Sequence, residues 1–190
     1  MMTVAILGGS FDPPHNGHIL LARESLKYAD RIWLMPVYKH NFNKNSTDAF
    51  SRLNMCRIAT ESETNIEVSD YEIRNKLEGG TLRLLNNLWD SYPNIKFKFI
   101  IGQDNADRFN EWINYNTLIS GLEFIVFSRQ GGKKTAEDLW YMRKPHIFVN
   151  TGFTDEISST KIRNDIKNNK KPSNLNENVY KFIRTLGMYL

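Results

Sequence analysis

The stretch that decides the fold is residues 3–18, which read TVAILGGSFDPPHNGH. Thr3–Leu7 is a short apolar run that ends at a glycine pair, as a buried parallel strand does. Apolar residues at helical spacing begin at Asn16 and predict a helix directly after the turn. A strand, a glycine turn and a helix in this order indicate the first unit of an open α/β sheet.

The rest of the chain repeats this alternation. The predicted strands are Thr3–Leu7, Arg31–Val37, Ile66–Ile73, Lys96–Ile101, Leu122–Ser128 and His146–Asn150; the predicted helices are Asn16–Ala29, Asp48–Thr60, Thr81–Tyr92, Ser159–Asn168 and Asn176–Leu186. Thr47 and Asp48 are alternative N-caps for the second helix. We therefore expect an α/β fold of the Rossmann-like, doubly wound type, with one domain over residues 1–190 and two C-terminal helices. Residues 39–47 and 131–134 are expected to be surface loops, the first a mobile active-site loop.

Composition excludes several functional classes. The 190 residues include one cysteine, Cys56, so no intramolecular disulfide is available, and a reducing cytoplasm is the expected location. No apolar run approaches the roughly 20 residues of a membrane-spanning helix, so no membrane partner is expected. The net charge of +4 suits polyphosphate ligands but is too small to favour nucleic acid.

The glycine turn and the start of the first helix carry features of a phosphate site. A glycine pair lets backbone approach a nucleotide, and a helix N-terminus attracts anions. His15 and His18 are three residues apart, so their imidazoles share one helix face. The string is neither G-x-G-x-x-G nor the Walker A pattern, which disfavours a redox Rossmann enzyme and a P-loop kinase. A histidine pair alone would usually be solvent-facing or capping, and no nearby Cys, Asp or Glu cluster suggests zinc.

The string Gly8–His18 resembles the opening G-G-[ST]-F-D-P-x-H-x-G-H of the bacterial nicotinate-nucleotide adenylyltransferase family, within the [HT]-x-G-H nucleotidyltransferase superfamily. Residues 157–163, ISSTKIR, resemble the superfamily's I-S-S-T-x-x-R signature, although hydroxyls before a helix are by themselves usually N-caps. The resemblance implies that His15, His18 and Arg163 are catalytic. It implies an ATP site made of Gly8, Gly9, Ser10, Phe11, His15, Gly17, His18, Gly102, Asp104, Ser158, Ser159, Thr160 and Arg163. It implies Mg²⁺ held mainly by the ATP phosphates, with no protein metal ligand.

A third motif, residues 101–104 (IGQD) followed by Trp112, resembles the family's G-x-D…W arrangement. The resemblance implies that Asp104 lies near the ribose or the catalytic centre and that Trp112 stacks on a pyridine ring. Trp112 could instead be a core residue, since Ile113 and Leu118 are its neighbours. The substrate-binding residues implied are Lys39, Lys44, Thr81, Asp104, Trp112 and Arg129. The helix around Phe50–Met55 and the tail around Val179–Tyr189 also resemble the family.

Two segments depart from the family pattern. Residues 37–44 read VYKHNFNK where the family has N-P-P-H-K, and Gly80 replaces a tyrosine. Both surround the pyridine nucleotide in the family, so the choice between nicotinate and nicotinamide mononucleotide stays open. Lys39 and Lys44 remain alternatives for the loop lysine, and homo-oligomerisation is also left open.

The implied reaction is AMP transfer from ATP to nicotinate mononucleotide, with release of pyrophosphate, in NAD biosynthesis. The acceptor 5′-phosphate is already anionic at pH 7, because its second pKa is about 6, so no general base is required. His18 is expected to be the more critical histidine. The alternatives are the same chemistry with phosphopantetheine or a sugar phosphate as acceptor, and a non-catalytic nucleotide- or RNA-binding protein on this scaffold.

Overall fold

The computed structural model describes residues 1–39, 47–128, 139–150 and 157–190. Its strands form one six-stranded sheet in the order β3-β2-β1-β4-β5-β6, and every neighbouring pair is parallel. The strands are β1 (Met2–Gly9), β2 (Arg31–Pro36), β3 (Ile66–Val68), β4 (Ile95–Gly102), β5 (Glu123–Phe127) and β6 (Ile147–Val149).

The helices connect these strands and cover both sides of the sheet. In the described ranges they are α1 (Asn16–Ser25), α2 (Ala49–Ala59), α3 (Tyr71–Arg74), α4 (Thr81–Ser91), α5 (Gln103–Asp107), α6 (Tyr115–Gly121), α7 (Ser159–Lys167) and α8 (Glu177–Thr185), with 3₁₀ turns at Phe109–Glu111 and Trp140–Met142. None of them is long and apolar enough to cross a membrane.

Strand β1 explains why helices are needed on both faces. Ala5 and Leu7 point into one core, shared with α1, α2, α7 and α8. Val4 and Ile6 point into a second core, shared with α3, α4, α5 and α6. All four side chains are at most 6% exposed, because a central parallel strand is buried on both faces. The predicted doubly wound α/β fold is confirmed.

The strand order fixes where a ligand site can form. From β1 the chain runs to β2 and β3 on one side, and then returns to β4 on the other side of β1. The connections after β1 and β4 therefore leave in opposite directions at their carboxyl ends. A crevice opens at such a switch point, and open α/β sheets bind ligands there.

The predicted strand at Ile66–Ile73 is wrong beyond Val68. The Ser69 hydroxyl accepts the Tyr71 N–H at 3.3 Å, and the Arg74 N–H donates to the Asp70 carbonyl at 2.8 Å. These local bonds close the helical turn α3 where the apolar residues suggested continued strand.

Three other details refine the predicted elements. Asp48, not Thr47, is the N-cap of α2, since its carboxylate accepts the Ser51 N–H at 3.0 Å. Helix α1 ends at Ser25 and not at Ala29. Helices α5 and α6, between β4 and β5, were not predicted, because each is shorter than two full turns of apolar periodicity. The predicted loop at 131–134 and most of the loop at 39–47 lie outside the described residues.

Candidate functional site

Two sequence motifs from distant parts of the chain meet at the carboxyl end of β1. The Ser159 hydroxyl donates to the Pro13 carbonyl at 2.9 Å, across 146 residues of sequence. The Arg163 guanidinium donates to the Asp12 carbonyl at 2.7 Å, across 151 residues. These bonds bring the N-termini of α1 and α7 to one place, so the positive dipole ends of two helices lie close together.

The histidine pair at the start of α1 is held in a defined geometry. His15 is the N-cap, and its backbone N–H donates to Nδ1 of His18 at 3.1 Å. The two rings stack with centroids 3.7 Å apart and planes inclined by 23°. Because Nδ1 of His18 accepts a hydrogen bond, a neutral His18 ring carries its proton on Nε2. That N–H can donate to an anionic oxygen.

Gly17 and Phe11 shape the surroundings of this pair. A Cβ at position 17 would lie 3.1 Å from Nδ1 and 3.2 Å from Cε1 of His15, so glycine is what allows the ring to lie across the helix start. Phe11 is 2% exposed and meets the His18 ring edge-on at 4.9 Å. The imidazoles are thus fixed by packing as well as by hydrogen bonds.

The start of α7 presents hydroxyl and guanidinium groups together. Ser158 caps the helix by accepting the Lys161 N–H at 3.2 Å. The Arg163 guanidinium donates to the Thr160 hydroxyl at 3.2 Å, in addition to its bond with Asp12. Ser158 therefore caps α7, and Thr160 and Arg163 form a bonded pair on its first two turns; the phosphate role of this motif stays a prediction.

A cavity of about 340 Å³ opens beside this meeting point, at the carboxyl ends of β1, β2 and β4. Its size lies in the range of small-molecule sites. Six of the predicted site residues line it: Gly8, Gly9, Ser10, Lys39, Thr81 and Trp112. The other lining residues are Val37, Glu72, Leu77, Glu78, Gly79, Gly80, Leu84, Phe99, Glu111 and Ile113.

Trp112 has features of both of its predicted roles. It is half-buried, with its ring 4.7 Å from that of Phe109 and edge-on to Phe99 at 6.5 Å. It also lines the cavity. A Cβ on Gly8 would lie 3.1 Å from the Phe99 ring, so this glycine lets the aromatic cluster approach β1. An anchored indole beside a cavity is a suitable platform for a planar ring; stacking on pyridine stays a prediction.

The remaining predicted residues are placed less directly. Gly102 ends β4, and Asp104 is an exposed residue in the first turn of α5 that does not line the cavity. Lys39 lines it, with its ammonium 3.5 Å from the Glu78 carboxylate. Lys44 and Arg129 lie outside the described residues.

Arg52 helps to form the site, although it is not among the site residues predicted from the sequence. It lies in α2 and is 1% exposed. Its guanidinium donates to four backbone carbonyls, those of Ser10 at 2.8 Å, Val37 at 2.7 Å, Thr47 at 2.9 Å and Tyr38 at 3.4 Å. One buried cation thus joins the loop after β1 to the segment after β2. The available signal was its spacing, since Arg52 shares the buried face of α2 with Cys56 and Ala59.

Glu72, in α3, is a second residue of the site that the sequence did not predict. It lines the cavity, and its carboxylate accepts the Tyr38 N–H at 2.9 Å. Burial raises the pKa of Glu72 to about 7, although that N–H and the positive charge of Arg52 both act to lower it. The cavity therefore contains a carboxyl group that titrates near neutral pH.

Asp12 is occupied by protein donors. Its carboxylate accepts the Tyr189 hydroxyl at 2.6 Å and the Thr47 N–H at 3.3 Å. These bonds indicate a structural role for Asp12 in the turn before Pro13. Within the described ranges, no group of three or more His, Cys, Asp or Glu residues is arranged to hold a metal ion.

Known proteins resemble the chain along its whole length. A family profile described as Cytidylyltransferase-like matches residues 6–165. The chain is 35% identical to a Clostridium botulinum (strain Okra / Type B1) protein named "Probable nicotinate-nucleotide adenylyltransferase", with all of both chains covered. It is 32% identical to the nicotinate-nucleotide adenylyltransferase of Bacillus subtilis (strain 168), over 100% of this chain and 99% of that one.

Solved structures share the fold. Nicotinic acid mononucleotide adenylyltransferase of Plasmodium falciparum, complexed with NaAD, superposes with a TM-score of 0.81 at 24% identity, covering 100% of this chain and 98% of that one. The same enzyme complexed with APC gives a TM-score of 0.82 at 21% identity, with the same coverage.

Replacing Arg52 by lysine tests its role as a structural cation. An ammonium is a compact charge that cannot reach all four carbonyls, so we expect Arg52→Lys to lower the free energy of unfolding by about 2–4 kcal/mol. Urea unfolding measures this. The matched control is Arg57→Lys in the same helix, whose side chain is 54% exposed and pairs with Asp70 at 3.7 Å; there the loss should stay under about 0.5 kcal/mol. Equal losses in the two variants would contradict the assignment.

The raised pKa of Glu72 predicts a pH-dependent stability. Between its ordinary pKa of 4.5 and its folded value of about 7, the native state binds more protons than the unfolded state. The free energy of unfolding therefore falls as pH rises through this window, by on the order of 2 kcal/mol. Glu72→Gln should remove that fall, while the exposed Glu78→Gln should retain it. Urea titrations at several pH values decide the matter, and parallel curves for wild type and Glu72→Gln would refute it.

Proposed function

The chain belongs to the nicotinate-nucleotide adenylyltransferase family of Cytidylyltransferase-like proteins, and we propose that it transfers AMP from ATP to nicotinate mononucleotide and releases pyrophosphate. It is thus a nucleotidyltransferase of NAD biosynthesis. One observation carries the assignment of roles: two side chains of α7, Ser159 and Arg163, donate to the loop before α1, beside a cavity with an anchored indole on its wall.

On the triphosphate side, we propose that the starts of α1 and α7 bind ATP. His18 would donate from Nε2 to a phosphate oxygen, with His15 stacked behind it. Thr160 and Arg163 would hold the outer phosphates and stabilise charge on the departing pyrophosphate. Arg163 suits this role because its guanidinium is already oriented by the Asp12 carbonyl, so less ordering is needed when ATP binds.

On the acceptor side, we propose that the 340 Å³ cavity takes the pyridine mononucleotide. Trp112 would stack on the pyridine ring, and Thr81, at the start of α4, would contact the acceptor with Gly80 beside it. Lys39 would supply positive charge to the acceptor phosphate or carboxylate. Ser10 and Gly9 line the same cavity from the ATP loop, so the two substrates would meet at the end of β1.

The chemistry that this arrangement supports is in-line attack of the acceptor phosphate oxygen on the α-phosphorus of ATP. An oxygen–phosphorus bond forms, the bond to the β-phosphate oxygen breaks, and pyrophosphate carries away the electron pair. The attacking phosphate is anionic at neutral pH, so the protein's task is to orient the two substrates and stabilise charge. We propose Mg²⁺ as the metal that accompanies ATP, because Mg²⁺ favours phosphate oxygens and water; it would neutralise phosphate charge.

Two alternative functions remain. The first keeps the chemistry with phosphopantetheine or a sugar phosphate as acceptor. The second is a non-catalytic nucleotide- or RNA-binding protein.

We propose that residues 1–190 act as one domain in the cytoplasm, where reduced Cys56 and the nucleotide substrates would be found.

The experiment that tests the proposal is pyrophosphate release with ATP and Mg²⁺, run in parallel with nicotinate mononucleotide, nicotinamide mononucleotide, phosphopantetheine and a sugar phosphate. We expect turnover with nicotinate mononucleotide and a lower kcat/KM with each of the others. Turnover with only phosphopantetheine or the sugar phosphate would transfer the chemistry to the first alternative. Silence with all four would overturn the proposed activity.

His18→Ala is the control that separates an enzyme from a binding protein. Losing one positioned donor to the reacting phosphate should lower kcat by about 100-fold or more, while the Kd for ATP changes much less. A variant with unchanged kcat would contradict the role proposed for His18.

A further inference from the structure

The C-terminal tail reaches the loop that opens the ATP site. Tyr189 follows α8, yet its hydroxyl donates to Asp12 Oδ1 at 2.6 Å, across 177 residues of sequence. Asp12 is 6% exposed and lies between β1 and the histidine pair. A hydroxyl bonded to a buried carboxylate makes a short, charge-assisted hydrogen bond, which is stronger than one between neutral groups.

Asp12 connects this hydroxyl to the phosphate-binding arginine. Its carboxylate is fixed by Tyr189 and by the Thr47 N–H at 3.3 Å. Its backbone carbonyl, in the same residue, accepts the Arg163 guanidinium at 2.7 Å. A shift of the Asp12 peptide would move the acceptor that orients Arg163, and the bonds to the Asp12 carboxylate hold that residue in place. The connection runs through two hydrogen bonds and one residue.

The backbone of the tail adopts an unusual conformation to make this contact. Tyr189 has φ +63°, in the left-handed region that non-glycine residues rarely occupy, and Gly187 just before it has φ +62°. The Met188 N–H closes the end of α8 by donating to the Ile183 carbonyl at 3.0 Å. An outlier of this kind persists where surrounding contacts hold it, and the bond to Asp12 is such a contact.

The hydroxyl stays a donor over the whole physiological range. Burial and the neighbouring Asp12 carboxylate both raise the pKa of Tyr189 above its ordinary value of 10. Arg163 and Thr47 act in the opposite direction without cancelling the rise. Tyr189 is therefore protonated at neutral pH, and its hydroxyl can donate to Asp12.

We infer that Tyr189 is a positioning residue for ATP: through Asp12 it fixes the carbonyl that orients Arg163 toward the triphosphate. This inference rests on the proposed function only in taking Arg163 as a ligand of ATP. It assigns the tail a role on the triphosphate side of the site and none on the acceptor side.

The test is the Kd for ATP, measured by calorimetry on the full chain, in Tyr189→Phe. This change removes one oxygen and keeps the ring. We expect the Kd for ATP to rise about tenfold, the size expected from losing one charge-assisted hydrogen bond. The matched control is Tyr180→Phe in α8, whose ring lies 5.7 Å from the Lys171 ammonium; its Kd should equal that of the wild type.

A double-mutant cycle distinguishes positioning from a general loss of structure. If Tyr189 acts through Arg163, Tyr189→Phe should change the Kd for ATP by less than about twofold in an Arg163→Ala background. A tenfold loss that persists there, or an unchanged Kd in Tyr189→Phe alone, would overturn the inference. The KM for the acceptor gives a further test, since it should remain at the wild-type value in Tyr189→Phe while the Kd for ATP rises.

The outcomes also separate this inference from the proposed function. Wild type that binds ATP but transfers AMP to no acceptor refutes the proposed activity, while the Kd series still tests Tyr189. Normal turnover together with an unchanged Kd in Tyr189→Phe refutes only the role of Tyr189.

Discussion

The site depends on one buried cation. The Arg52 guanidinium is removed from water and donates its hydrogen bonds to backbone carbonyls instead. These carbonyls belong to the segments that follow β1 and β2 and to the residue before the N-cap of α2. A charge that is 1% exposed is tolerable only when its donors are satisfied. The same requirement forces the Ser10 and Val37 carbonyls to converge. Since both residues line the cavity, satisfying Arg52 and shaping the site are one constraint.

Residues near the C-terminal end of the chain also hold the site in place. The sheet order places the carboxyl end of β1 at the switch point, and α7 and α8 pack on the face that β1 shares with α1 and α2. Helix α7 can therefore bring Arg163 to Asp12, and the tail after α8 can bring Tyr189 to the same residue. The loop after β1 is held by groups far away in sequence, and these contacts fix the position of its histidines.

Local sequence patterns predicted most of the fold, and the exceptions have two causes. Apolar runs and helical spacing predict the alternating elements, because burial dictates them residue by residue. The end of β3 was mispredicted where Ser69 and Asp70 offer local hydrogen bonds that compete with the ladder. The sequence did not predict the roles of Arg52, Glu72 and Tyr189. Their partners are backbone atoms or residues distant in sequence, and local sequence patterns do not predict such contacts.

In the proposed reaction, the α-phosphate of ATP becomes part of a dinucleotide at the end of β1. Following a ³²P label is the most direct test. With ATP labelled at the α-position and nicotinate mononucleotide as acceptor, we expect label in the dinucleotide and unlabelled pyrophosphate. Label that stays in ADP or AMP, with none in a dinucleotide, would contradict it and would show that the site performs another reaction on ATP.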